Sequence, residues 1–205
     1  TTDNFNSSYQ WAIAGSKFEF GPRAYGFAQA GILWSSGTYQ DYTTWLGEIG
    51  ATQLLGPYSR HGFQVGRRLS DPDGRSRYVE NYGEYTIGQD IGPNSTVMAL
   101  VGYADRTSLD RSLHDNQKVV LAGLHYNQII PSTGTTLGLM IGYEHIQIDN
   151  NQSDFDRWMY RASVNQELRY RTTFTLAYQF TSAWGEGTKD DYTEHFLWMG
   201  LQKRF

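Results

Sequence analysis

Prolines recur along this chain at a nearly constant spacing. Intervals of 35, 36 and 38 residues separate Pro22, Pro57, Pro93 and Pro131. One further interval reaches a break near Tyr170, and another reaches Phe205. A period of this length indicates one supersecondary unit repeated along the chain.

Polar stretches lie midway between the proline breaks, at 35–42, 70–77, 106–117, 149–156 and 185–191. Each unit therefore contains a strand, a polar loop, a second strand and a short turn. We predict eleven strands, at 8–20, 23–35, 42–54, 59–69, 77–88, 95–106, 117–128, 135–148, 157–168, 172–184 and 192–205. They are longer than the usual ~5–6 residues of globular strands. Their length is enough to cross a bilayer at a tilt, which takes ~9–11 residues.

Apolar and polar side chains alternate along these strands, most clearly over 157–170. Trp158 and Tyr160 share one face with small and aliphatic residues, whereas Arg157 and Arg161 share the other. Aromatic residues cluster at the ends of the apolar face: Trp34, Trp45, Tyr126, Tyr143, Trp158, Tyr170 and Trp184. This pattern is typical of a membrane β-barrel with aromatic girdles. A soluble sandwich, which would bury the apolar face, is the alternative; a propeller would need shorter strands.

Composition excludes several other classes. The absence of cysteine removes disulfides and thiol chemistry. The formal net charge of −4 does not indicate nucleic-acid binding, for which an excess of Lys and Arg is typical. The sequence contains no apolar run of about 18 residues, the length that would indicate a membrane-spanning helix. We predict one all-β domain over residues 1–205, a transmembrane antiparallel up-and-down barrel of about 10–12 strands.

The last strand carries the sharpest local pattern: Leu197, Met199 and Leu201 alternate, and the chain finishes on Phe205. Here the sequence resembles bacterial outer-membrane β-barrel proteins. The resemblance implies an outer-membrane location, with membrane lipids and lipopolysaccharide as surroundings. It also implies that the barrel-assembly machinery recognises Phe205.

Eleven strands cannot close an even-stranded antiparallel barrel, so three interpretations are open. The first strand of a barrel with twelve or more strands lies upstream of Thr1; or residues 1–20 fold inward as a plug; or one predicted strand is spurious. We favour the first, in which this chain is the C-terminal part of a longer protein with a possible periplasmic domain or partner upstream.

Alternation predicts which side chains face the interior. The candidate lumen and solute-binding residues are Arg60, Arg68, Arg157, Arg161, Arg204, Glu48, Glu80, Glu84, Tyr78, Tyr82, Gln64 and Gln179, and Glu144 and Glu167 share their face. Arginine forks suit carboxylates or phosphates, and tyrosine faces suit sugar rings. The alternative is a salt-bridge network that fills a narrow barrel and conducts nothing.

The function predicted from these residues is an outer-membrane channel or export pore for a polar or anionic solute or a polysaccharide. Two alternatives are the translocator barrel of a larger secretion protein and an outer-membrane hydrolase. No histidine has a serine two residues later, as outer-membrane lipid hydrolases require, although His114-Asp115 and Asp190-Asp191 lie in predicted outer loops. We therefore predict no catalytic residue, no metal and no cofactor.

Overall fold

All the described parts of the chain are β-structure or short connections. The computed structural model describes residues 7–37, 42–70, 78–109, 116–148, 154–168, 172–185 and 191–203. The strands are β1 (Ser7–Gly21), β2 (Ala24–Gly37), β3 (Tyr42–Leu54), β4 (Ser59–Ser70), β5 (Tyr78–Gly92), β6 (Ser95–Ser108), β7 (Gln117–Ile130), β8 (Thr135–Ile148), β9 (Phe155–Leu168), β10 (Thr172–Gly185) and β11 (Tyr192–Lys203). The eleven predicted strands are thereby confirmed. In the described ranges, no helix has the length and apolar character needed to cross a membrane.

The strands form a single up-and-down sheet in sequence order, and every neighbouring pair is antiparallel. Short turns that contain glycine or proline join β1 to β2, β3 to β4 and β5 to β6. Both residue types are common in tight turns of this length. In the described ranges β1 pairs only with β2, and β11 only with β10, so the sheet is open between them. Because directions alternate over an odd number of strands, β1 and β11 run in the same direction.

The two faces of the sheet differ sharply in chemistry. We call the face that carries Glu48, Gln64 and Glu80 the inner face, and the opposite one the outer face. The register places one inner row across seven strands, from Gln29 through Glu48, Gly66, Tyr82, Ala104 and Val119 to Ile146. An outer row runs through Ala99, Leu124, Ile141, Tyr160 and Phe180.

Side chains on the inner face are buried even though no second layer covers them. Tyr82, Ala104, Val119 and Ile146 form an apolar cluster there, with Leu121 packed against it. A single sheet can bury one of its faces only by curving around it. The inner face is therefore the concave one. Large apolar side chains remain exposed on the outer face; Trp45, Val101 and Leu139 are 59%, 55% and 54% exposed.

Candidate functional site: the inner face

Five charged side chains form a continuous chain across the inner face, and we call them the inner-face ion network. Arg68 Nε donates to Glu80 Oε1 at 2.7 Å, and Arg106 Nε donates to Glu80 Oε2 at 2.8 Å. Arg106 Nη2 then donates to Glu144 Oε1 at 2.8 Å, and Arg157 Nε to Glu144 Oε2 at 2.8 Å. Positive and negative groups thus alternate from β4 to β9.

Most of the charged groups in this network are buried, so the pairing between them affects the free energy of unfolding. Glu80 is fully buried, and Arg106 and Arg157 are each 3% exposed. Charges removed from water to this extent need close partners, since an uncompensated one costs several kcal/mol. Arg106 Nη1 is buried without a hydrogen-bond partner among the described residues. The network therefore links β4, β5, β6, β8 and β9 across the inner face through charge pairing.

Further polar and charged groups extend the network towards β3. Arg68 Nη2 also donates to Glu84 Oε1 at 2.7 Å, and Gln64 Nε2 donates to Glu84 Oε2 at 2.6 Å. The Arg68 guanidinium lies over the Tyr82 ring, 3.9 Å from its centroid. Tyr82 in turn donates its hydroxyl hydrogen to Glu48. These polar side chains therefore form most of their hydrogen bonds with one another on this part of the inner face.

The remaining predicted lumen residues divide into four groups. Tyr78 is buried on the inner face, where its hydroxyl accepts a hydrogen bond from Gln117 Nε2 at 3.1 Å. Arg60 lies apart from the network and pairs with Asp90 at 3.4 Å. Arg161 and Gln179 lie on β9 and β10, away from the network. Arg204 lies outside the described residues. A role in solute binding stays a prediction for all of them.

Sequence reasoning missed the centre of the network. Arg106 ends the predicted strand 95–106 and Gln117 begins the predicted strand 117–128, but neither was among the candidate lumen residues. In the structure β6 continues to Ser108, and β7 begins at Gln117 as predicted. Arg106 and Gln117 are therefore buried strand residues that bind Glu80, Glu144 and Tyr78. The alternation that sets Arg106 opposite Val97 and Val101 was the signal that could have found it.

A second inner-face feature lies on β9 to β11. Arg161, Ala177, Gln179, Phe196 and Trp198 line a cavity of ≈ 250 Å³. Arg161 is exposed, and it has no hydrogen-bond or ion-pair partner in the part of the chain that the structure describes. This cluster could hold an anion or a ring-shaped ligand, because it combines a free guanidinium with aromatic faces.

One cluster on the outer face combines a histidine, a carboxylate and a tyrosine. On the outer face, Asp156 Oδ1 accepts a hydrogen bond from Tyr143 Oη at 2.7 Å and lies 2.9 Å from His145 Nδ1. Among the described residues, no serine or threonine forms a hydrogen bond with His145. Groups of three or more potential metal ligands are absent from the described ranges. The His114-Asp115 pair and Asp190 lie outside them.

No protein-family model and no curated protein matches this chain.

Proposed function

We propose that this chain forms a transmembrane β-barrel of the bacterial outer membrane whose outer face contacts lipid and whose inner face lines a path for a polar or anionic solute. One observation carries the proposal, namely the opposite character of the two faces. Charged and amide side chains are concentrated on the inner face, where Phe196 and Trp198 are exposed aromatic exceptions, whereas the outer face exposes rows of Trp, Tyr, Ile, Leu and Val. Exposed apolar surface on this scale favours a hydrocarbon environment over water.

Strand polarity supports a barrel of at least twelve strands. β1 and β11 run in the same direction, so one more strand running the opposite way would pair antiparallel with both. Such a strand would close the sheet and satisfy the backbone groups of both free edges, which a bilayer interior requires. A twelve-stranded barrel is wider than the eight-stranded barrels that side chains fill completely.

The solute path follows the β9–β11 side of the lumen in this proposal. The inner-face ion network ties β4 to β9 and pairs its own charges, so it leaves little unsatisfied charge for a solute. Arg161 is different because its guanidinium is exposed and unpaired among the described residues. An unpaired cation along a water-filled path favours the passage of anions.

Single-channel conductance in planar bilayers tests this proposal. The full-length protein should conduct, with a preference for anions over cations. Arg161→Gln should lower that preference by about two-fold or more, because it removes the free positive charge from the path. Arg23→Gln, at the exposed β1–β2 turn, is the matched control and should leave selectivity unchanged. A silent record would contradict the channel and favour the translocator alternative.

A further inference from the structure

The edge of the Trp198 indole formed by Cζ2 and Cη2 lies against Gly200 on the inner side of β11. A Cβ built on Gly200 would lie 2.7 Å from Cη2 and from Cζ2 of Trp198. The ring therefore covers the glycine backbone, and any side chain at position 200 would displace it. Trp198 nevertheless remains 44% exposed. The absence of a side chain at Gly200 thus lets an aromatic ring present one open face to the lumen.

Three other side chains surround this open ring. Arg161, Gln179 and Phe196 are partners in one row across β9, β10 and β11. Phe196 lies two residues before Trp198 on the same face and is 55% exposed. Ala177, which is opposite Trp198, is small and buried and so forms the floor of the cavity. Aromatic, cationic and amide groups therefore converge on a single space.

The contrast with the rest of the inner face points to a ligand. Arg60, Arg68, Arg106 and Arg157 all pair with carboxylates. Arg161 has no such partner within the described ranges, and it lies beside two aromatic rings exposed on the side proposed to be wet. Exposed aromatic faces in water and a free guanidinium both gain free energy when a suitable ligand covers them.

We propose that Trp198, Phe196, Arg161 and Gln179 form a binding subsite for a carboxylate-bearing sugar unit of the uronic acid type; this inference rests on the proposed solute path. The apolar face of the pyranose ring stacks on the indole of Trp198. The Arg161 guanidinium binds the carboxylate, in a bidentate fork where the geometry allows. The Gln179 amide hydrogen-bonds to ring hydroxyls. The cavity of ≈ 250 Å³ suits one sugar ring, because sites for larger drug-sized ligands begin at about 300 Å³.

Calorimetric titration of the full-length protein in detergent micelles tests the subsite, with trigalacturonate as the probe. Maltotriose supplies sugar rings without a carboxylate, and acetate supplies a carboxylate without a ring. We expect trigalacturonate to bind at least tenfold more tightly than either. Equal affinity for maltotriose would overturn the role of Arg161, and equal affinity for acetate would overturn the role of the aromatic rings.

Three variants should each weaken trigalacturonate binding about tenfold. Trp198→Leu removes the indole on which the sugar stacks, and Arg161→Gln removes the guanidinium that binds the carboxylate. Gly200→Val displaces the Trp198 ring without changing its chemistry. Trp184→Leu and Arg23→Gln are the matched controls, since Trp184 is 43% exposed on the outer face and Arg23 lies at a turn. Unchanged affinity in the three subsite variants, or an equal loss in the controls, would overturn the inference. The folding of each variant is checked on gels, where a folded β-barrel migrates differently in heated and unheated samples.

The subsite and the channel can fail separately. Conductance without trigalacturonate binding would overturn the subsite and leave the proposed channel standing. Trigalacturonate binding that depends on Trp198 and Arg161, in a protein that gives no conductance, would support the subsite and contradict the channel.

Discussion

Glu144→Gln is expected to lower the free energy of unfolding by about 3–5 kcal/mol, the cost of leaving buried charges without their partner. The Glu144 carboxylate accepts hydrogen bonds from Arg106 Nη2 and Arg157 Nε, both at 2.8 Å. Each of these arginines is 3% exposed, so water cannot replace the lost negative charge. Glutamine keeps the shape of the side chain, but it removes the charge and replaces one of the two accepting oxygens with an NH2 donor that faces an arginine. Urea-induced unfolding in lipid vesicles, followed by tryptophan fluorescence, measures the effect.

Glu167→Gln is the matched control for this variant. Glu167 lies on the same face, at the far end of β9, and is exposed. Its substitution should change stability by no more than about 0.5 kcal/mol, as at other solvated sites. Adding Arg157→Met to Glu144→Gln should recover part of the loss, because it removes one of the two stranded cations. Losses that simply add would show that the network is not an electrostatic unit.

Ile141→Arg is expected to lower the free energy of unfolding by about 2–4 kcal/mol if the outer face contacts hydrocarbon. Ile141 is 43% exposed near the middle of β8, and its outer-face neighbours in register are Leu124 and Tyr160. On a protein surrounded by water, the same change at an exposed position would cost about 0.5 kcal/mol at most. Unfolding in vesicles therefore separates the two environments by a wide margin.

Gln147→Arg provides the control for depth. Gln147 lies on the same face of the same strand, one residue from its end, and is exposed. Near the membrane interface an arginine costs only about 0–1 kcal/mol. An effect at Ile141 as small as the one at Gln147 would indicate that no hydrocarbon contacts the middle of the sheet.

The strands could be predicted closely because their signals are local. The bounds of β3 and β8 agree with the prediction residue for residue, since alternation and turn residues mark both ends. The prediction was weaker where polar residues belong to a strand. β9 begins at Phe155 rather than at residue 157, and β6 extends past Arg106 to Ser108, because the polar stretches 149–156 and 106–117 were interpreted as loops that limit the strands.

Which face a residue occupies could be predicted, but its partner could not. Arg106 and Glu144 are on β6 and β8, with β7 between them, so their contact depends on the register of three strands and on the curvature of the sheet. Arg157 and Arg161 share a face of β9 and look equivalent in the sequence. Only the fold shows that Arg157 is buried against Glu144, whereas Arg161 is exposed beside Trp198 and Phe196.

Lipid contact along the whole outer face is the central claim, and the absence of cysteine allows a direct measurement of it. Single cysteines carrying a nitroxide can replace outer-face Leu124, Leu139 and Ile141, or inner-face His125 and Met140. Collision rates with oxygen and with a water-soluble nickel complex are then measured in liposomes. Our account predicts high oxygen and low nickel accessibility at the outer set, and the reverse at the inner set. Nickel collisions as frequent at the outer positions as at the inner ones would contradict it.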